Sequence, residues 1–508
     1  MSKGRTSHSL RRTLASGLSL NLLVNVLLYL GHLIIARRLP RDDYAVFSVV
    51  VSFVSLMALF ADLGLTLLFV KKFAEAEANA RNGQADTRGE LLGSMLALRI
   101  GMAVLVSVVV VFITPYLGYT IHTRNLMMVM LITLFISSRL LVVRAVGEAF
   151  LRGHNKYHIV ALFATVDAVV FVGLLYFYSG QILDIDGAIW IYSLCHLPGF
   201  LLLGALIYRE GKSVNFRLRF RFEVIRNLIV EGFPLILSTA FLTIHSQADT
   251  LLLNTLSTPK EVSAYNAGLR ILSAILFLPA VFTAVIGPLV TQATVTKKFD
   301  QLRHTIHLSL RILLLSALLI AVILTVSSDS VVASLFGSNR YSDVAPLAVM
   351  FGWMFIPICF GAFVIDIAIA EGRYWLSSVY TAILMVVSIV ADIILIPRYG
   401  AFGATISKCL ALTIGSSIIL LLSERLQVFV RRSILMILLR LVGVTLCSMG
   451  IYYSTLSLGL SSLTIFFVVL LTFSLTAIFV MRVVSLHEIR SFVSGLLSKT
   501  LEGGHKST

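Results

Sequence analysis

The sequence predicts an all-α polytopic membrane protein of about fourteen transmembrane helices, built as two pseudo-symmetric six-helix lobes followed by two C-terminal helices. Three observations predict it. First, 58% of the 508 residues are hydrophobic, only 13% are charged and the mean hydropathy is +0.95, a composition foreign to ordinary soluble domains. Second, the apolar runs reach the ~20 residues that carry a helix across about 30 Å of hydrocarbon. Ten-residue alternating strands are absent, so helices must satisfy the backbone in lipid. Third, the chain repeats itself. In residues 370–411 two apolar runs meet at Pro397, Arg398, Tyr399 and Gly400, a turn short enough for a tight hairpin, and residues 151–194 carry a similar design. Gly153 answers Gly372 at an offset of 219, and Gly187-Ala188 answers Gly403-Ala404 at 216, the mark of a duplicated bundle.

Taken in order, the first span, 14–36, is too long for the core of a secretion signal and lacks a small-residue cleavage site, so it reads as a retained helix. Spans two to six follow at 44–70, 91–114, 125–149, 158–178 and 187–208, completing an N-terminal lobe over 1–208. A basic linker occupies 209–227. In it Arg217, Arg219 and Arg221 alternate with Leu218, Phe220 and Phe222, giving one basic and one apolar edge. Such an edge suits the surface of an anionic leaflet or a plain topology anchor. Spans seven to twelve, at 228–255, 262–290, 309–327, 343–370, 374–396 and 403–422, make a C-terminal lobe over 228–422. Ahead of span nine, Phe299, Leu302, Ile306 and Leu310 are spaced for an interfacial helix. The repeat reaches the first helices of each lobe: Gly17 answers Gly232 (215), Leu39 answers Leu256 (217) and Tyr44 answers Tyr265 (221). Spans at 434–455 and 463–484 have no counterpart and read as an addition over 423–508.

Orientation follows from the loop cations. With the N-terminus cytoplasmic, cytoplasmic segments hold 28 of the 41 Lys and Arg, opposite-side loops hold 7 and spans hold 6. Both termini are therefore expected in the cytoplasm, with Gly83 and Gly495 on that side and Asp184 and Gly459 on the other. The same distribution accounts for the pI of about 9.9 and net charge of +16, leaving a nucleic-acid partner little to explain. The four cysteines lie inside apolar runs without CxxC spacing and read as small buried hydrophobes. Eleven histidines show no HExxH, and no GxxxxGK[ST] loop is present. The longest opposite-side loop, 328–342, is small for the catalytic part of a polymerase or glycosyltransferase. No motif calls for a cofactor or metal, and the chain does not read as an enzyme.

Several stretches resemble the polysaccharide transporter family of the multidrug/oligosaccharidyl-lipid/polysaccharide exporter superfamily, whose members include O-antigen flippases. They are IARRLPRDDYAVFSVV (35–50), ADLGL (61–65), GFPLILSTAFLTIHSQADTLLLNTLSTPKEVSAYNAG (232–268), LFGSNRYSDVAPLAVM (335–350) and IPRYGAFGATISK (396–408). The resemblance implies two six-helix lobes forming a V, with a path between helices 1, 2, 7 and 8. It also implies transfer of undecaprenyl-pyrophosphate-linked oligosaccharide between leaflets of a bacterial inner membrane, for O-antigen, capsule or exopolysaccharide assembly. A polysaccharide polymerase and a chain-length regulator are the protein partners it implies. A multidrug cation antiporter of the same superfamily is the alternative, and an enzyme of polysaccharide assembly a third reading.

A charge at membrane depth costs at least ~2.5–3.5 kcal/mol and therefore faces a partner or a cavity. Arg144 and Glu148, spaced i,i+4, are expected to pair with each other. Arg440, Glu231, Asp366 and Asp392 stand close enough to helix ends to reach the interface. Asp249 on helix 7 and Arg270 on helix 8 stand at comparable depth, either as a structural ion pair or at a cavity. Arg99 and Arg139 lie near the middles of helices 3 and 4. With the cargo that the resemblance implies, Arg270, Arg99 and Arg139 are candidate pyrophosphate ligands, with Lys408 and Asp249 in support, because guanidinium combines charge with a planar fork. Asp167 reads either as an ion-coupling group or as a buried carboxylate hydrogen-bonded to a neighbour.

Overall fold

The computed structural model describes residues 3–62, 64–82, 86–140, 142–153, 156–178, 183–214, 218–279, 282, 286, 290, 300–337, 340–422, 431–458 and 462–477. Among these no residue forms a strand, and eleven helices are long and apolar enough to cross a membrane. One of the eleven, α15 (Tyr374–Leu422), provides two crossings. Gly400, at φ +54° and ψ −128°, reverses the chain three residues after Pro397, a backbone state that only glycine enters cheaply. The two arms lie side by side, since a Cβ on Gly415 would stand 2.7 Å from Leu384 Cδ2 and 3.2 Å from Tyr380 Cε2. Two shorter apolar helices, Ile121–Ile136 and Thr464–Leu475, stand where spans four and fourteen were expected. Gly83, Gly459, Gly495 and Arg217 lie outside the described residues.

The chain packs as two compact units, Met1–Ser263 and Ala264–Thr508. In the first, α1 (Lys3–Arg38) lies along α8 (Tyr157–Phe177), while α2 (Arg41–Asp62) packs on α4 (Arg88–Ile113), α5 (Ile121–Met130) and α11 (Phe222–Leu256). In the second, α13 (Asp300–Phe336) packs on α14 (Ala345–Ala370), which packs on α15. There α16 (Arg431–Ser457) and α17 (Ser462–Leu475) pair with each other and against α13. Helix starts repeat along the chain: Arg41 and Pro259, which opens α12 (Pro259–Ile275), are 218 apart, and Tyr157 and Tyr374 are 217 apart.

Three expected spans are interrupted, each for a local reason. The span expected over 44–70 stops at Asp62, turns at Gly64 (φ +62°), and restarts as α3 (Thr66–Arg81). A Cβ at Gly64 would sit 2.8 Å from Thr239 Oγ1 on α11, so the turn needs glycine both for its dihedral and for its neighbour. Beyond it α3 is amphipathic: Leu65, Leu68, Phe69, Phe73 and Ala76 recur at helical spacing and are buried against Leu91, Met95, Val146 and Phe150. The span expected over 125–149 becomes α5, α6 (Thr133–Ile136) and α7 (Val143–Gly153). Ser137 leaves the helix with extended backbone (ψ 132°), and its hydroxyl accepts from the amides of Arg139 (3.0 Å) and Leu140 (3.4 Å). A serine that satisfies nearby amides in this way competes with the helix ladder. The span expected over 187–208 divides into α9 (Ile185–Leu194) and α10 (Leu197–Val214), with Pro198 in the first turn of the new helix, where its missing N–H costs nothing.

Candidate functional site

The two interruptions in α5–α7 and α9–α10 meet across α8, and Arg144, Glu148 and Asp167, three of the first unit's buried charges, converge there. Asp167 and Phe171 are four residues apart on α8 and so share one face; Tyr192 and His196 have the same spacing across the end of α9. The result is two tiers about one helical turn apart.

The first tier is ionic. The Arg144 guanidinium on α7 donates through Nη1 to Asp167 Oδ2 (2.5 Å) and to the carbonyls of Ile136 (3.3 Å) and His196 (3.3 Å), and through Nε to Glu148 Oε1 (3.1 Å). The Ile136 carbonyl stands at the end of α6, where the helix breaks, while the His196 carbonyl also accepts from the Phe200 amide at 3.1 Å as α10 begins. Arg152 Nη2 donates to Glu148 Oε2 at 3.1 Å. The Gly199 amide donates to Asp167 Oδ1 at 2.9 Å, and His196 Nδ1 stands 3.6 Å from Asp167 Oδ2. Arg144, Glu148, Asp167 and His196 are all buried.

The second tier is aromatic. Arg139, in the gap between α6 and α7, places its Cζ 4.8 Å from the Phe171 ring centroid and 4.7 Å from that of Tyr192. Those two rings, 5.8 Å apart, meet His32 at 6.0 and 5.6 Å, and Phe47 of α2 completes the cluster 5.6 Å from Tyr192. Glycine at position 31 lets α1 approach this closely, since a Cβ there would fall 2.1 Å from Phe171.

Three guanidiniums, from Arg139, Arg144 and Arg152, face two carboxylates, from Asp167 and Glu148, and both carboxylates are taken by Arg144 and Arg152. Arg139 Nε, Nη1 and Nη2 are shut from solvent with no hydrogen-bond acceptor among the described residues. Ring faces stabilise such a cation by about 0.5–2 kcal/mol each, but they offer no lone pair to five N–H groups. Arg139 is therefore a held guanidinium with its hydrogen-bonding capacity unspent.

Gly199 ties the tiers to the α10 start. A Cβ there would meet Asp167 Oδ1 at 2.3 Å, so Gly199→Ala is expected to push Asp167 off both its amide donor and Arg144. Thermal unfolding of the purified protein should show a loss of about 1–3 kcal/mol; an unchanged melting temperature would contradict this geometry.

A sequence model described as polysaccharide biosynthesis protein matches residues 10–294, more than half of the chain. The chain belongs to that family. A second family model, MatE, matches residues 234–397, and no curated protein sequence matches. In fold this polysaccharide biosynthesis protein is similar to the lipid II flippase MurJ in an inward closed conformation, with a TM-score of 0.67 at 14% identity, covering 90% of this chain and 98% of that one. It is also similar to multidrug resistance MATE transporters of the MOP superfamily. The inward-facing one gives 0.62 at 15% identity (81% of this chain, 97% of that), and the outward-facing one 0.58 at 18% (82% and 95%). At these identities the likeness establishes the fold. The solved structures that share this fold are those of a flippase and of transporters. The protein is a multi-pass membrane protein of the polysaccharide biosynthesis family, with a fold that flippases and transporters share.

Within this polysaccharide biosynthesis protein the candidate residues separate. Arg139 and Asp167 come together at the broken helix. Arg99, buried on α4, pairs with Asp62 at the end of α2 and donates to Thr66 Oγ1 at 2.9 Å, while Thr66 Oγ1 donates to Asp62 Oδ1 at 3.0 Å. It thus fastens the α2–α3 turn. Asp249 is buried in the first unit, on α11. Arg270, half-buried on α12, and Lys408, buried on α15 with Nζ 5.9 Å from the Tyr265 ring, belong to the second. Arg144 and Glu148 do pair, but Arg144 also anchors Asp167, a link their helical spacing could not carry. Asp392, expected at the interface, is buried with Ser388 Oγ 3.5 Å from its carboxylate. The role of His196 and of the Phe171–Tyr192 pair went unread. The only trace in the sequence was the His196-Leu197-Pro198-Gly199 interruption inside an apolar run.

A second polar feature lies where α3, α4 and α11 begin or end, a cavity of about 380 Å³ lined by Lys72, Glu75, Glu90, Arg221, Glu223 and Glu231 among others. Two ion pairs cross it, Lys72–Glu231 at 2.8 Å and Arg221–Glu90 at 3.1 Å. The hydrogen bond that the Lys72 ammonium donates to Glu231 raises its pKa above the ordinary lysine value. Among the described residues no group of His, Cys, Asp and Glu is arranged to hold a metal ion.

Proposed function

We propose that this protein is a flippase that moves an anionic, undecaprenyl-pyrophosphate-linked oligosaccharide from the cytoplasmic to the periplasmic leaflet of a bacterial inner membrane, by alternating access, for surface polysaccharide assembly. The observation that carries the reading is Arg139, a guanidinium held between two rings at membrane depth with no acceptor among the described residues. Family membership and the fold shared with a lipid II flippase support it. A pyrophosphate offers the paired oxygen acceptors that a planar fork matches.

In this proposal Arg270 is a second anion contact, with its Nε buried and without an acceptor among the described residues. Lys408 and Asp249 support the path, Arg99 contributes when its pairing with Asp62 loosens, and Asp167 is the candidate for ion coupling. The lobes are 1–208 and 228–422, a division supported by the repeated helix starts, and both termini are cytoplasmic, as the loop cations indicate. A polymerase and a chain-length regulator would receive the flipped unit. The MatE match over 234–397 favours a second reading, a multidrug cation exporter; a buried guanidinium with unspent donors repels such a cargo.

Deleting the gene is expected to abolish surface polysaccharide while its lipid-linked unit accumulates facing the cytoplasm. Normal polymer at the surface of a cell with no second flippase would overturn the proposal, and so would restoration of drug resistance with no effect on polysaccharide.

A further inference from the structure

The segment entering α11 has a structure that transport does not explain. Residues 218–221 run extended along the start of α4. The Arg219 amide donates to the Gly89 carbonyl at 3.1 Å, the Arg221 amide donates to Ser94 Oγ at 2.8 Å, and the Ser94 hydroxyl lies 3.2 Å from the Arg221 carbonyl. Gly93 makes the approach possible, since a Cβ there would meet the Arg219 carbonyl oxygen at 2.6 Å. With the backbone docked, the period-two alternation of the segment has a defined direction. The Arg221 side chain turns to Glu90 (3.1 Å), and Leu218, Phe220 and Phe222 are left 56%, 60% and 69% exposed.

Three large apolar side chains held out by a fixed backbone are costly in water, at about 25 cal/mol per Å². The edge also has a continuation. Phe222 opens α11, and Arg226, Val230 and Phe233 follow at i+4, i+8 and i+11, on one face of the helix. Val230 and Phe233 are as exposed as the edge itself, and Arg226 is exposed too. Both α4 and α11 are long and apolar enough to cross the membrane, and the segment lies where each begins. One arginine interrupting an otherwise apolar outward stripe, about 6 Å into the helix from Phe222, is placed to reach back towards lipid phosphates with its stem along the stripe.

We propose that Leu218, Phe220 and Phe222 together with Arg226 seat an anionic phospholipid of the leaflet at this end of the bundle. The apolar edge enters the boundary between headgroups and acyl chains, and Arg226 binds the phosphate. Continuity with the outward stripe of α11, and the exposed cation Arg226 within it, select an anionic lipid as the occupant. The proposal is independent of what the protein transports.

Two measurements test it on the full chain in phosphatidylcholine vesicles with and without phosphatidylglycerol. Tryptophan replacing Phe220 is expected to be quenched by lipids brominated near the headgroup, above the wild-type background of the three native tryptophans, and tryptophan replacing Arg219 is not. Equal quenching at both positions, quenching of Phe220→Trp only by aqueous iodide, or shielding that grows with protein concentration as a second copy would produce, each overturns the seat. In the second, competition between the two lipids for the detergent-solubilised protein, read by native mass spectrometry, should favour phosphatidylglycerol about fivefold, the worth of one cation at an anionic surface. Arg226→Gln should abolish the preference and Arg226→Lys keep most of it. An unchanged preference in Arg226→Gln overturns the assignment of the phosphate to that residue.

Discussion

Arg139→Ala is expected to remove most transport of the lipid-linked unit while the protein still accumulates and folds in the membrane. Truncation orphans no carboxylate, because Asp167 and Glu148 are held by Arg144 and Arg152. What the fold loses is contact with the Phe171 and Tyr192 rings, about 1–4 kcal/mol, offset by removal of a buried cation whose donors have no acceptor among the described residues. What the cargo loses is a charge-assisted hydrogen bond of about 1.5–3 kcal/mol, so transport should fall roughly ten- to hundredfold. Arg139→Lys should fall between, since the point charge survives and the fork does not. Protein level and surface polysaccharide measured together decide the matter. Wild-type transport in Arg139→Ala, or a loss that merely tracks protein level, would sink the assignment.

Asp167→Ala is expected to behave in the opposite way, costing the fold first. It leaves Arg144 buried without its 2.5 Å partner and the Gly199 amide without an acceptor. Breaking a buried pair from one side costs about 3–5 kcal/mol, a large share of a stability of about 5–15 kcal/mol. Asp167→Asn should be milder, because its amide oxygen still accepts from Gly199, although its NH2 then faces the Arg144 Nη1 donor and that bond is lost with the charge. The double variant Asp167→Leu with Arg144→Met removes both charges and should recover part of the lost stability, since Glu148 keeps Arg152 as its partner while the Gly199 amide stays without an acceptor. Thermal unfolding in detergent gives the stability order, and transport per folded molecule separates the two roles of Asp167. If the double variant transports normally, Asp167 does not couple ions. If Asp167→Asn folds fully yet loses transport together with its pH dependence, the coupling role stands.

The extent of several spans was legible because hydropathy is local. An apolar run of membrane length declares itself whatever surrounds it, as 374–396 and 403–422 did on either side of Gly400. The interruptions were less legible. Ser137-Ser138-Arg139 and Cys195-His196 sit inside apolar runs, and their few polar atoms barely lower a window average. They break the helices because partners exist: Ser137 for the following amides, Arg144 for the carbonyl of Ile136, and Asp167 for the Gly199 amide at the start of α10. Arg144 and Glu148 were read as a self-contained pair on their own helix. The residue that binds Arg144 most closely, Asp167, is 23 positions away on another helix.

From the residues alone came the helical membrane class and the identity of the charges that lipid could not bury unpaired. These are properties of single segments, set by transfer energies and periodicity. Tertiary structure alone decided which of those charges are spent. Arg99 lies on Asp62 and Arg144 on Asp167, while Arg139 is caught between Phe171 and Tyr192 with its donors unused. In sequence the three are equivalent arginines in apolar helices. They differ because pairing energy depends on distances of a few ångströms between segments that the chain brings together only by folding.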